Sequence, residues 1–123
     1  MLLILLSLGT GDLVRTPGLW LSPDKSVLHA CFTGNWDSNT EIMVTDDRLL
    51  LNRWYHITYT LSDSEKRLDV YIDGEWVGYY CIQNVKTQKI IFNDGPLYIG
   101  RAFSRNGFNG EIRYDYIVVM KLI

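Results

Sequence analysis

Apolar residues recur along this chain in short runs, often alternating with polar ones. No stretch keeps a 3.6-residue apolar period with helix caps at both ends. The runs predict strands at Leu2–Leu8, Gly18–Leu21, Val27–Thr33, Glu41–Thr45, Trp54–Leu61, Arg67–Ile72, Glu75–Ile82, Lys89–Phe92, Pro96–Gly100 and Glu111–Leu122. Clusters of Gly, Pro, Asn and Asp punctuate them. Many short strands joined by polar turns predict an all-β sandwich or jelly roll. There is no internal repeat and no low-complexity linker, so residues 1–123 read as a single domain.

The firmest local prediction is a hairpin at Asp73-Gly74. Asp-Gly supplies the positive φ angles of a type I′ turn, whose twist matches two antiparallel strands. A two-residue loop sets Ile72 opposite Glu75, Tyr71 opposite Trp76, Val70 opposite Val77 and Leu68 opposite Tyr79. Paired residues share a face. The core face is then Leu68, Val70, Val77, Tyr79 and Cys81, and the outer face Arg67, Asp69, Tyr71, Trp76 and Tyr80. The same alternation turns Tyr55, Ile57, Tyr59 and Leu61 inward.

The 123 residues are 47% hydrophobic and 21% charged, with a formal net charge of -2, which is globular rather than disordered composition. Twelve basic against fourteen acidic residues leave no excess to cover a phosphate backbone, which argues against nucleic acid as a partner. No apolar run reaches the roughly 18 residues of a membrane span. Met1–Leu8 has a signal-core composition but lacks a basic start and a small-x-small cleavage site. It reads as a buried strand, and the compartment stays open. Cys31 and Cys81 are too few for a disulfide framework and read as two free thiols. A bridge requires the fold to bring their Cα atoms within about 7 Å.

Three segments carry a resemblance. They are Asn52-Arg-Trp-Tyr-His-Ile-Thr-Tyr59, Leu68-Asp-Val-Tyr-Ile-Asp-Gly74, and Pro96-Leu-Tyr-Ile-Gly-Arg101 followed by Phe108-Asn-Gly110. In order and spacing they resemble the laminin G-like, concanavalin A-like lectin/glucanase superfamily, from about Leu19 to Val119. The resemblance implies a jelly-roll sandwich of two antiparallel sheets, with truncation at one or both ends left open. Laminin-type relatives often carry a cysteine right after Phe-x-Gly, where this chain has Glu111.

Because the superfamily contains glucanases, a catalytic carboxylate pair has to be sought. Those enzymes place acids at alternate positions of one strand, and retaining glycosidases hold the two carboxyl groups about 5–5.5 Å apart. Glu111 and Asp115 are four residues apart, roughly 13 Å at strand rise, with Arg113 where a middle acid belongs. Asp69 and Asp73 share that spacing. Neither pair predicts a hydrolase. His56 reads as structural, and His29 with Cys31 supplies only two metal ligands, too few for zinc. No cofactor is expected. Relatives that bind calcium place acidic ligands just after the strand ending at Thr33 and near the residue before the glycine of Phe-x-Gly. The candidates here are Asp37 and Asn109, against the reading of a metal-free polar turn.

Aromatic residues give the strongest binding signal. Trp36 lies in a loop of Gly, Asn, Asp and Ser, where a core tryptophan is not expected. Tyr71, Trp76 and Tyr80 form a second aromatic surface on the outer face of the hairpin. Such rings stack on sugar faces and also anchor protein interfaces, unless a loop or a neighbouring sheet covers them. The loop Arg101–Asn109 adds Phe103 and two arginines, suited to an acidic sugar or a carboxylate. The resulting expectation is a non-catalytic, lectin-like recognition module. It binds a glycan or glycosylated partner on loops at Trp36, Asp37, Arg101 and Asn109. A protein–protein module is the alternative, and a glucanase-like hydrolase the distant third. The apolar stretch Tyr116–Met120 predicts a sticky sheet edge and a homo-oligomer.

Overall fold

A computed structural model describes residues 3–8, 16–22, 27–44, 49–50, 52–92, 97–99 and 117–122, with side chains for 16–22, 27–44, 49–50 and 52–92. The strands are β1 (Leu3–Leu8), β2 (Gly18–Leu21), β3 (Leu28–Phe32), β4 (Thr40–Met43), β5 (Ile57–Ser62), β6 (Arg67–Ile72), β7 (Glu75–Cys81), β8 (Leu97–Ile99) and β9 (Ile117–Leu122). They form a five-stranded sheet in the order β4-β3-β2-β1-β8 and a four-stranded sheet in the order β7-β6-β5-β9. The all-β sandwich expected from the strand pattern is therefore present. Its pairings are antiparallel except β5 with β9, which run parallel. Parallel neighbours need a long crossover. The chain between β5 and β9 supplies it by visiting β6, β7 and, in the other sheet, β8.

The inner faces follow from alternation. In the first sheet, Leu19 pairs Ala30 and Ala30 pairs Ile42, while Leu21 pairs Leu28. In the second, Tyr59 pairs Val70 and Leu61 pairs Leu68. These rows meet as one core with Phe32, Val44, Ile82 and Ile90. Tyr59 and Leu61 are buried, as the alternation predicts, and Ile57 packs against the core. The Tyr59 hydroxyl reaches across to donate to the Cys31 carbonyl at 2.7 Å, so the buried phenol keeps a partner. Burial, with a smaller contribution from Cys31, pushes that phenol well above its ordinary pKa.

The strand predicted at Lys89–Phe92 reduces to an isolated bridge between Gly34 and Ile90. The Asp73-Gly74 turn is observed, with φ of 52° at Asp73 and 79° at Gly74 and with Ile72 opposite Glu75. Asp73 adds a second function there. Its Oδ1 accepts the His56 amide at 2.8 Å and its own amide donates to the His56 carbonyl at 2.8 Å, tying the turn to the residue before β5.

Beyond Trp76 the hairpin departs from the predicted register. Val70 faces Gly78 rather than Val77, Asp69 faces Tyr79, and Leu68 faces Tyr80. Val77 is the extra residue of a β-bulge, and every side chain after it changes face. Tyr80, expected outside, packs edge-on against Phe32 with ring centroids 5.8 Å apart. Tyr79, expected in the core, stands 53% exposed. Cys81 moves to the outer row opposite Arg67, where it is half-buried. Cys31 is fully buried, and the two cysteines form no disulfide with each other.

Candidate functional site

The loop after β3 is built from backbone bonds rather than left open. The Thr33 amide donates to Thr16 Oγ1 at 2.9 Å, and Thr33 Oγ1 donates to the Ser38 carbonyl at 2.9 Å. The Gly34 amide donates to the Asp37 carbonyl, closing a tight turn at 2.8 Å. Asn35 exchanges three hydrogen bonds with the 87–89 segment, through its amide, its Oδ1 and its Nδ2. That segment is held in turn by Asp63, whose Oδ1 accepts Lys66 Nζ at 2.9 Å and the Ile90 amide at 3.1 Å. Burial pushes the Asp63 carboxyl up, but Lys66, the Ile90 amide and Lys89 outweigh it and hold the group below its ordinary pKa.

This lattice folds Trp36 back onto the core. Its ring meets Phe32 edge-on at 5.8 Å and is half-buried, so the anchor expected in solvent here packs in part on the core. Gly34 makes the fold-back possible. A β-carbon there would sit inside van der Waals contact of the Trp36 ring. Trp36, Phe32 and Tyr80 thus form one aromatic group at this end of the sandwich.

Asp37 is exposed, and its Oδ1 accepts the Asn39 amide at 2.9 Å in a local turn. Arg101, Phe103 and Asn109 lie outside the described residues, as do Glu111 and Asp115. Among the described residues no group of three His, Cys, Asp or Glu side chains is placed to hold a metal ion. His29, opposite Met43, instead reaches diagonally to Glu41 on β4, with Nδ1 3.4 Å from Oε1.

The bulge assembles a different surface on the outer face of β6 and β7. Trp76 and Tyr79 are three residues apart, yet both point outward because Val77 is the extra residue between them. Their rings stack at 5.1 Å with 22° between planes, and each remains 53% exposed. Trp76 Nε1 donates to Asp69 Oδ1 at 2.9 Å. Arg67 grips the same carboxylate with two N–H groups, Nε at 2.7 Å from Oδ2 and Nη2 on Oδ1, and its guanidinium lies 5.7 Å from the Tyr79 ring centroid. The Arg67 hydrogen bond, opposed by burial and aided by Trp76, holds the Asp69 carboxyl below its ordinary pKa. Asp69 in return raises the guanidinium further. The outcome is an aromatic ledge whose orientation is set before any ligand arrives.

Trp76 was legible from the sequence as an outer-face residue, whereas Tyr79 was not. The signal was Gly78, because an isolated glycine within a strand marks a bulge or a close approach of backbones. The bulge is present here, and a β-carbon on Gly78 would meet Ile42 Cδ1 and the Val44 carbonyl oxygen in ordinary van der Waals contact at 3.4 Å.

A laminin G-type family model, described as the concanavalin A-like lectin/glucanases superfamily, matches residues 6–114. No curated protein and no solved structure matches the chain. The family match supports a carbohydrate- or protein-binding module in general, within a superfamily that also includes glycosidases. With two sheets packed over one core, the Asp73-Gly74 hairpin in place and the family match covering most of its length, the chain belongs to the concanavalin A-like lectin/glucanases superfamily.

Proposed function

We propose that this chain is a non-catalytic recognition module whose ligand is a glycan or a glycosylated partner. The observation that carries this reading is the Trp76–Tyr79 ledge: two stacked rings, each half in solvent, with the indole N–H fixed by Asp69. Large aromatic surface in solvent is costly unless something covers it, and rings held in place lose little entropy on binding. The ledge is favoured over the loop at Trp36 and Asp37, because Trp36 already spends its surface on Phe32.

The non-catalytic part rests on the carboxylates. A glycosidase general acid needs a raised pKa. Among the described residues Asp69 and Asp63 are both held down by hydrogen-bonded cations, and Glu111 and Asp115 stand four residues apart with Arg113 between them, not at the alternate positions a glucanase pair takes. The second reading, a protein–protein module, draws on Met43, 61% exposed on β4 beside the same ledge.

The test is binding of the full chain to an immobilised panel of neutral and acidic glycans, with a glucan hydrolysis assay on the same preparation. Saturable binding without release of reducing ends is expected. Failure to bind any glycan, or turnover of a glucan, contradicts the reading.

A further inference from the structure

An open groove runs beside the ledge, between β4 of one sheet and β7 of the other. Its volume is about 480 Å³ and it is lined by Ile42, Met43, Trp76, Val77, Gly78 and Tyr79. That size lies within the roughly 300–1,000 Å³ of small-ligand clefts. Gly78 adds no side chain to the groove, whose wall there is backbone next to Ile42 and Val44. The walls are apolar, and one of them is an aromatic surface.

The polar groups beside the rings have unused capacity. An ionised carboxylate offers about four acceptor sites, and Asp69 has three of them filled, two by Arg67 and one by Trp76. A guanidinium has five N–H donors, of which Arg67 uses two on Asp69. The site therefore offers donors and an acceptor next to an apolar face, which matches a sugar ring carrying hydroxyls at its edge.

Charge narrows the ligand further. Arg67 is the only cation in the hairpin Arg67–Cys81, and it is already neutralised by Asp69. Asp73 and Glu75 add two more carboxylates to that hairpin, and Glu41 lies on β4 next to the groove residues Ile42 and Met43. On the hairpin and β4 together an anionic sugar meets four carboxylates, Asp69, Asp73, Glu75 and Glu41, against the one cation Arg67, with His29 3.4 Å from Glu41.

Resting on the glycan-binding reading above, we propose that this β4–β7 groove with its Trp76–Tyr79 wall is the binding site, and that it selects neutral pyranose glycans over sulfated, sialylated or uronic-acid ones.

The experiment titrates the full chain and its variants with neutral glucose, galactose and mannose oligosaccharides and with their sulfated and sialylated counterparts. Binding to at least one neutral oligosaccharide is expected, at least tenfold tighter than to its charged counterpart and unchanged between low and high salt. Trp76→Ala is expected to weaken it about thirtyfold, the loss typical of an aromatic anchor. Trp76→Phe keeps a ring and is expected to retain part of the affinity, with melting compared throughout. Glu75→Lys, at an exposed position, is expected to narrow the gap between neutral and charged sugars.

Tighter binding of the charged glycans overturns the inference. So does neutral binding that survives Trp76→Ala in a folded variant. Either result leaves the glycan-binding reading standing. A folded chain that binds no glycan, whether or not it captures a protein, overturns the reading and the inference together.

Discussion

Two tryptophans lie in segments of similar composition and end in opposite environments. Trp36 sits in Gly34-Asn-Trp-Asp-Ser-Asn39 and Trp76 in Asp73-Gly-Glu-Trp-Val-Gly78. Each has a glycine and at least one carboxylate in its segment, which by composition alone suggests a solvated turn. The first ring is folded onto Phe32 because its loop is stitched to residues 87–91 by backbone and Asn35 hydrogen bonds, and because Gly34 leaves room beneath it. The second is held outward because it belongs to a strand whose inner row is already filled by Leu68, Val70 and Tyr80. What decides exposure is the set of partners the backbone takes, not the local mix of residues.

The contrast can be broken from the core side first. Trp36→Ala removes a ring that packs on the core and is expected to cost about 3 kcal/mol of stability, read as a lowered midpoint in urea. Gly34→Ala attacks the same contact from below. A methyl group against the indole is expected to cost about 2 kcal/mol, as overpacking does. If either variant melts with the parent chain, Trp36 is not packed as described.

Smaller effects belong to the hairpin. Gly74→Val forces a β-branched residue to φ near 79° and is expected to cost about 1 kcal/mol or more. An unchanged midpoint would remove the type I′ turn from the account. Asp69→Asn keeps the shape but loses the charge that holds Arg67 and Trp76, with an expected loss of about 1 kcal/mol at neutral pH. The folded-state pKa values of Asp63 and Asp69 are depressed, so their contribution is fully present above the unfolded carboxylate value of about 3.9. It is lost as pH falls from there through the folded values. Acid titrations of stability are expected to be flat from neutral to about pH 5 and to fall below pH 4, with a shallower fall in Asp69→Asn. The smallest effect is Trp76→Ala, expected to change stability by about 0.5 kcal/mol or less, because the ring is half exposed and lies outside the core cluster.

Much of the fold was legible because period-two alternation survives in the strands that form it. Tyr59, Leu61, Leu68 and Val70 all landed on the core face that their spacing predicted. The Asp-Gly turn was legible from chemistry that acts within four residues. The exchange of Tyr79 and Tyr80 was not read, because one inserted residue inverts every later position and its sole trace is a glycine. Nor was the burial of Trp36 visible. It depends on Asn35 meeting Thr87 and Lys89, more than fifty residues away. The parallel placement of β9 against β5 has the same cause, since it depends on where the chain travels between them.

The most direct test of the division between a structural and a recognising tryptophan is to follow the indole N–H resonances while a neutral oligosaccharide is added to the full chain. Trp76 donates to Asp69 in the ledge, so its N–H is expected to shift in step with binding while that of Trp36 stays in place. A shift of Trp36 with Trp76 unmoved would contradict the account and return the site to the loop after β3.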